Sequence, residues 1–171
     1  NLIRAIASYE RTLISGSSPF DRYVFGGEHD ALSVQAKRGM SLFFSTRAGC
    51  AGCHSGINFA GNWRDTQGAT GPASFASNGT SRGKLRVPTL RNVALTAPYM
   101  HDGRFATLAA VLEHYSAMAR RGVPPDLRLP RTPFSSAERA ELIAFLDSLS
   151  DEAFVQRAVA AGAASAPMAS R

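Results

Sequence analysis

Apolar side chains recur every three or four residues in four separate stretches of the chain. These stretches are residues 2–14, 31–46, 107–122 and 135–150. Their apolar anchors are Leu2, Ile3, Ile6 and Leu13 in the first, Leu32, Met40 and Phe43 in the second, Leu108, Val111, Leu112 and Tyr115 in the third, and Leu142, Ile143, Leu146 and Leu149 in the fourth. No stretch shows a sustained alternation of apolar and polar residues, so the pattern predicts an all-α fold.

Polar and special residues mark where these helices are expected to begin and end. Thr107 precedes the third stretch as a suitable N-cap, and Gly122 follows it as a suitable C-cap. Ser135 and Glu138 have the spacing of a capping box at the start of the fourth stretch. Pro19 is expected to interrupt helical structure after the first stretch.

The segments between the helices predict long connections. Residues 55–83 are rich in Gly, Ser, Asn and Thr and have no sustained period, which predicts a long loop of the functional or mobile kind. Residues 124–133 are rich in proline and predict a linker. The chain of 171 residues is therefore expected to form one domain over residues 1–150, followed by a small-residue tail over 151–171 that frays.

Both cysteines of the chain lie in the stretch Cys50-Ala51-Gly52-Cys53-His54, the pattern of covalent haem attachment. Two thiols one helical turn apart can add across the two vinyl groups of a porphyrin, and the adjacent histidine can bind the iron from one face. A structural zinc site needs four ligands, usually two such pairs, and only one pair is present. A thioredoxin-like redox pair would follow a strand, whereas a helix precedes this one. The motif therefore predicts one covalent haem c, held by Cys50, Cys53 and His54.

Covalent haem attachment is an extracytoplasmic process, so the motif also predicts a periplasmic location. The N-terminal residues 1–16 lack the features of a signal peptide, so from this segment alone the chain is expected to be either intracellular or already processed. No run of 18 apolar residues is present, so no membrane span is expected.

The ligand on the opposite face of the haem is less clear from the pattern. His114 lies off the apolar stripe of its predicted helix, whereas Tyr115 and Met118 lie on it, one turn apart. Met100 and His101 lie on a predicted irregular segment. The pattern alone leaves Tyr115 and Met118, and it favours Met118 because methionine is the more frequent ligand in small c-type cytochromes.

Four stretches together resemble a known family: "SYERTLISGSSPFDRY", "AKRGMSLFFSTRAGCAGCHSGINF", "RVPTLRNVALTAPYMHDGRFATLAAVLEHY" and the helix after it. The chain is similar, from residue 1 to about 150, to the C-terminal haem domain of bacterial di-haem cytochrome c peroxidases and their MauG-like relatives. The resemblance implies a cytochrome c-like haem domain with long loops. It also implies that Tyr115, rather than Met118, is the distal ligand, since MauG-like enzymes carry tyrosine at that position.

The resemblance implies further ligands and partners. Family members bind Ca²⁺ between their two haem domains, partly through backbone carbonyls that correspond here to Thr96 and Pro98. His101 corresponds to a histidine near the haem edge. The residues that handle peroxide belong to a second haem domain, and this chain has one haem motif. Trp63 does not replace the tryptophan that lies between the haems of the family.

The expected function is therefore that of a c-type haem domain in a peroxidase-like oxidoreductase. It would relay electrons or store an oxidising equivalent for peroxide-dependent oxidation at a second haem, with a redox protein as donor or an oxidised protein as substrate. The chain would then be a fragment, a split subunit or one segment of a longer enzyme. The alternatives are a mono-haem electron carrier without catalysis and an inert structural remnant.

The charge of the chain fits this interpretation. Nineteen Lys and Arg against thirteen Asp and Glu give a net charge of +6, but the basic residues are scattered and form no nucleic-acid-binding run. A basic surface suits haem propionates or an acidic redox partner. Arg91 and Arg86 are the candidates for propionate binding, because a guanidinium pairs with a carboxylate through two hydrogen bonds.

Overall fold

A computed structural model describes residues 1–61, 63–65, 84–122 and 132–165. Six α-helices and two short strands follow in chain order: α1 (Leu2–Glu10), α2 (Pro19–Val24), α3 (Val34–Phe44), β1 (Trp63–Asp65), β2 (Lys84–Arg86), α4 (Leu108–Arg121), α5 (Ser136–Asp147) and α6 (Glu152–Ser165). Single 3₁₀ turns lie at Cys50–Gly52 and Val93–Leu95. The all-α prediction is confirmed, with one exception. β1 and β2 pair antiparallel, Trp63 opposite Arg86, where no strand was expected.

The core forms where α3 crosses α5. Gly39 of α3 faces the backbone of α5 so closely that an added Cβ would lie 1.8 Å from the carbonyl oxygen of Glu141. This approach brings the apolar faces of both helices together. The buried cluster around the crossing contains Phe20, Phe43, Ala48, Phe59, Val93, Leu112, Phe134, Leu142, Phe145, Leu146 and Leu149.

The predicted caps of α4 and α5 are confirmed. The Thr107 hydroxyl accepts a hydrogen bond from the Ala110 amide at 3.1 Å, and Gly122 ends α4 with a positive φ of 84°. Ser135 and Glu138 form the capping box in both directions, because each side chain accepts from the other residue's amide. These interactions satisfy amides that the helix itself leaves unpaired.

Three local expectations were wrong. Pro19 begins α2 rather than interrupting a helix, because the first helical position needs no amide donor, and the Ser18–Asp21 pair caps it. The first helix ends at Glu10 instead of reaching residue 14, and none of its residues is buried.

Residues 152–165 form a helix instead of a fraying tail. Asp151 caps α6 by accepting from the Phe154 amide at 2.9 Å, and the segment is rich in alanine, the strongest helix former. Asp151 also accepts from the amides of Gly16 and Ser17, each at 3.0 Å, which ties the start of the helix to the N-terminal segment.

Parts of three predicted segments lie outside the described residues: most of the long loop, most of the proline-rich linker, and residues 166–171. The side chains of Trp63 and Arg86 also lie outside the description. Among the described helices, none combines the length and apolar character needed to cross a membrane.

Candidate haem-binding site

The two cysteines lie on a single tight turn that follows α3. Gly49 enters this turn with a φ of 69°, a conformation that favours glycine. The amides of Cys53 and His54 both donate to the Cys50 carbonyl, at 3.1 and 2.9 Å. Both cysteines are free and, as residues, partly exposed, and they lie on this one short segment. This is the arrangement that attachment to two neighbouring vinyl groups requires.

The environment of Cys50 keeps its thiol protonated. Burial raises its pKa to about 11, and the neighbouring Cys53 adds to the shift. Cys50 packs against the apolar cluster around the α3–α5 crossing. Its sulfur is therefore held against the core in a neutral form.

The His54 ring is oriented by two backbone carbonyls. Its Nδ1 lies 3.1 Å from the Phe59 oxygen and 3.2 Å from the Pro88 oxygen. Carbonyl oxygens only accept hydrogen bonds, so Nδ1 must carry the proton and Nε2 must carry the lone pair in the neutral ring. Burial lowers the pKa of His54, more than the two hydrogen bonds raise it, which favours the neutral ring. This leaves Nε2 as the nitrogen that can bind a metal.

Gly61 allows the attachment turn to lie against the segment that follows it. A Cβ at this position would lie 2.4 Å from the Cys53 carbonyl oxygen and 3.2 Å from Val87. The Gly61 amide donates to the Val87 carbonyl at 3.3 Å. Sequence patterns do not single out Gly61, because only the folded chain brings residues 53 and 87 to it.

Tyr115 lies on α4, and its ring contacts that of His114, with their centroids 6.0 Å apart. Burial raises the pKa of the Tyr115 hydroxyl to about 12, and Cys50 and Cys53 add to this shift. Met118 is also buried, with 7% of its surface exposed. The His114 ring contacts Phe105, with their centroids 5.1 Å apart. Ligation of iron by Tyr115 or by Met118 stays a prediction.

Arg91 already has a carboxylate partner within the protein. Its two terminal nitrogens donate to both oxygens of Asp21, at 2.8 and 2.9 Å, and its Nε donates to the Ile57 carbonyl at 2.8 Å. Burial would raise the pKa of Asp21, but hydrogen bonds from Arg91 and Ser18 outweigh this and lower it. Propionate binding by Arg91 stays a prediction. Asp21 was not singled out from sequence, since nothing local indicates its partner 70 residues away.

The remaining predicted site residues lie together on one loop between the 3₁₀ turn at Val93–Leu95 and α4. Thr96, Pro98 and His101 are all exposed there. Among the described residues, no three His, Cys, Asp or Glu side chains are grouped as a metal site would require. The predicted calcium site depends on the backbone carbonyls of Thr96 and Pro98, and the arrangement of side chains does not test it. Calcium binding therefore stays a prediction.

Taken together, these residues fit a covalently attached haem. Two free thiols lie on one turn, and His54 has a fixed tautomer with Nε2 available. Burial and the two cysteines raise the pKa of the Tyr115 hydroxyl, which belongs to another helix. Phe43 and Phe59 are buried beside this turn, with ring centroids 5.9 Å apart, while Phe44 stays half-exposed next to them. The donor set is nitrogen and oxygen on an apolar background, as in haem proteins.

The chain is similar to two curated proteins along most of its length. It is 39% identical over 163 residues to the methylamine utilization protein MauG of Methylorubrum extorquens, and the match covers 86% of this chain and 43% of MauG. It is 35% identical over 185 residues to the cytochrome-c peroxidase IdrP1 of a Pseudomonas species, with coverage of 86% and 48%. The chain thus spans about half the length of the relatives it matches. No family model matches the chain.

A solved structure shows the same fold. The di-haem peroxidase BthA of Burkholderia thailandensis superposes with a TM-score of 0.55 and 26% identity, covering 81% of this chain and 47% of BthA. The likeness confirms the cytochrome c-like haem-domain fold that the sequence resemblance implied.

Proposed function

Because this chain belongs to the family of MauG and the bacterial cytochrome c peroxidases, we propose that it forms a c-type haem half of a di-haem oxidoreductase. Its role is to relay electrons, or to store an oxidising equivalent, for a peroxide-dependent oxidation at a second haem. The second haem belongs to another domain or chain. The partner in electron exchange is a redox protein, as donor or as substrate, and the location is the periplasm.

The observation that carries this proposal is the fixed orientation of His54. Two carbonyls from different segments hold the Nδ1 proton, so Nε2 points away from them as a preset ligand. Metal-binding histidines are oriented in this way by hydrogen bonds on the other ring nitrogen. A histidine that only filled space would not need this double constraint.

Each site residue has a distinct task in the proposal. Cys50 and Cys53 tether the porphyrin through thioether bonds, so that the group cannot dissociate. His54 would bind the iron through Nε2, and Tyr115 of α4 would be the second iron ligand. The haem, when bound, supplies a one-electron redox centre. The apolar cluster that packs against Cys50 would form part of the apolar wall of that site.

The identity of the distal residue decides which electron-transfer role is favoured. A phenolate oxygen from Tyr115 favours the higher oxidation states of iron, whereas a thioether sulfur from Met118 favours the ferrous state. Tyr115 therefore suits long-range oxidation of a protein substrate better than delivery of electrons from a cytochrome. The resemblance to MauG-like enzymes, which carry tyrosine at this position, supports this choice.

Two further contacts belong to the proposal. Thr96 and Pro98 would offer backbone carbonyls to a Ca²⁺ ion shared with the second haem domain. His101, on the same exposed loop, would lie near the haem edge. Both depend on the family resemblance.

Covalent attachment is tested by extracting the purified holoprotein with acid and organic solvent. The haem should stay with the polypeptide, and a variant with both Cys50→Ala and Cys53→Ala should release it. Ser55→Ala, an exposed neighbour, is the matched control and should retain the haem. Release from the unaltered protein would show that the attachment proposal is wrong.

Peroxide consumption separates a di-haem role from other functions. The chain alone should turn over peroxide weakly, because the groups that handle peroxide belong to the second haem domain. Addition of a second haem-bearing domain should raise turnover. A mono-haem carrier would show no gain on such addition. Fast turnover by the chain alone would contradict the proposed division of labour.

A further inference from the structure

Three consecutive carbonyls beside the attachment turn each accept a hydrogen bond from a different side chain. Arg91 Nε donates to Ile57 at 2.8 Å, Thr89 Oγ1 donates to Asn58 at 2.6 Å, and His54 Nδ1 donates to Phe59 at 3.1 Å. The donors Thr89 and Arg91 come from the segment that also provides the Pro88 carbonyl for His54. Both carbonyls that hold the His54 ring therefore belong to segments fastened to each other by Thr89 and Arg91.

Arg91 is itself held in place by a buried ion pair. Its side chain and that of Asp21 expose 7% and 6% of their surfaces, and both Arg91 terminal nitrogens donate to the Asp21 carboxylate. Asp21 also accepts from the Ser18 hydroxyl at 2.7 Å and from the Ser18 amide at 3.1 Å. A bidentate pair of this kind fixes the plane of the guanidinium, and so fixes the direction of Nε toward Ile57.

Thr89 connects the two parts of this arrangement. Its hydroxyl donates to Asn58 and accepts from the Arg91 amide at 3.1 Å. The hydroxyl therefore couples the backbone at residue 91 to the backbone at residue 58. One connected set of hydrogen bonds therefore joins Asp21, Arg91 and Thr89. It reaches Asn58, which precedes Phe59, and Thr89 itself follows Pro88, so it contacts the neighbours of both residues whose carbonyls hold the His54 ring.

We propose that Asp21, Arg91 and Thr89 are positioning residues for the His54 ligand, an inference that rests on the proposed haem-binding function. They hold the Phe59 and Pro88 carbonyls at hydrogen-bonding distance from Nδ1. A strong hydrogen bond at Nδ1 makes the imidazole a more basic ligand, and a more basic ligand stabilises the ferric state. Loosening this set should weaken the hydrogen bond and raise the reduction potential of the attached haem.

The test measures the reduction potential of the covalently attached haem by spectroelectrochemical titration. Asp21→Asn removes the charge but keeps the shape of the side chain, and Arg91→Lys cannot reach Asp21 and Ile57 with one planar group. Both should shift the potential in the positive direction. Glu28→Gln is the matched control. It breaks the half-exposed ion pair with Arg22, which belongs to α2 as Asp21 does, but it leaves the buried Asp21–Arg91 pair intact. It should leave the potential unchanged.

A milder pair of variants covers the case in which the buried pair is needed for folding. Thr89 is exposed, so Thr89→Val removes its hydroxyl with little disturbance of the core. It should raise the potential, and Thr89→Ser, which keeps a hydroxyl at this position, should have the potential of the unaltered protein.

The outcomes separate positioning from a merely structural role. If Asp21→Asn, Arg91→Lys and Thr89→Val lower the melting temperature but leave the potential at the Glu28→Gln value, the proposal is overturned. If Thr89→Ser shifts the potential as far as Thr89→Val does, it is overturned as well. Failure of the proposed function is a different result, because the unaltered protein would then hold no covalent haem to titrate.

Discussion

Replacing Gly39 with alanine tests whether the fold depends on backbone contact between α3 and α5. The added methyl carbon would lie 1.8 Å from the Glu141 carbonyl oxygen, 2.5 Å from its carbonyl carbon and 3.0 Å from the Phe145 Cβ. Two of these atoms are backbone and cannot rotate away. The two helices must therefore move apart, on the order of 1 Å, before the methyl group fits.

The cost follows from what this separation does to the core. Overpacking costs about 1–3 kcal/mol and more where backbone must shift, and a gap of about 0.5–1 Å loses a quarter to a half of each dispersion contact. Alanine has a higher helix propensity than glycine, which offsets about 1 kcal/mol of this cost. Because backbone atoms must shift here, the overpacking cost should exceed the upper end of its usual range. After the gain in helix propensity is subtracted, we expect the free energy of unfolding to fall by about 3 kcal/mol. In a domain of this size the melting temperature should fall by roughly 6–12 °C.

Thermal and denaturant unfolding of the holoprotein, followed by far-ultraviolet circular dichroism, measures this change. Gly16→Ala is the control, because an added Cβ there meets no atom within 4 Å and the residue keeps its amide hydrogen bond to Asp151. A Gly39→Ala protein as stable as the Gly16→Ala protein would refute the packing argument.

Four other substitutions, used in three experiments, test the roles of Asp151, Tyr115 and Gly61. Asp151→Ala should lower the free energy of unfolding by about 3 kcal/mol at neutral pH, because amide donors lose a charged acceptor, and denaturant titration measures this. The hydrogen bonds of Asp151 outweigh its burial and lower its pKa, so its contribution is present above about pH 4 and disappears as the pH falls through the folded pKa. The unaltered protein should therefore lose stability in acid more steeply than the variant, and equal slopes would contradict this. Tyr115→Phe should open a coordination position and shift the ferric spectrum toward high spin, whereas Met118→Leu should change stability by only about 1 kcal/mol; the reverse pattern would assign the ligand to Met118. Gly61→Ala should reduce the yield of covalently attached haem, measured on a denaturing gel stained for haem, because its Cβ would lie 2.4 Å from the Cys53 carbonyl oxygen. An unchanged yield would mean that the turn can shift without cost.

Features that depend on neighbours within a few residues could be predicted from the sequence. Thr107 caps α4 and the Ser135–Glu138 capping box begins α5, as predicted, because each donor and acceptor lie three residues apart. The spacing of Cys50, Cys53 and His54 is local in the same sense. Helical spacing on α4 also restricts the distal residue to Tyr115 or Met118, because both lie on its apolar stripe.

The local features that the sequence analysis predicted wrongly were each compatible with two structures. Pro19 can interrupt a helix or begin one, and the Ser18–Asp21 pair decides for the second. The alanine-rich segment after residue 151 can fray or form a helix. Asp151 favours the helix because its side chain caps the first turn. That side chain is held in place by the amides of Gly16 and Ser17, which lie 135 and 134 residues earlier in the chain.

What only the tertiary structure decided are the contacts between distant segments. Sequence identifies Gly39 as a glycine in a helix, but the clash with Glu141 exists only once α3 crosses α5. Asp21 and Arg91 are 70 residues apart, and no local pattern pairs them. The same is true of the His54 ring and the Pro88 carbonyl, which are 34 residues apart. Capping interactions join residues within one helical turn, so a local sequence pattern can predict them. The orientation of a ligand such as His54 depends instead on which distant segments the packed core brings together.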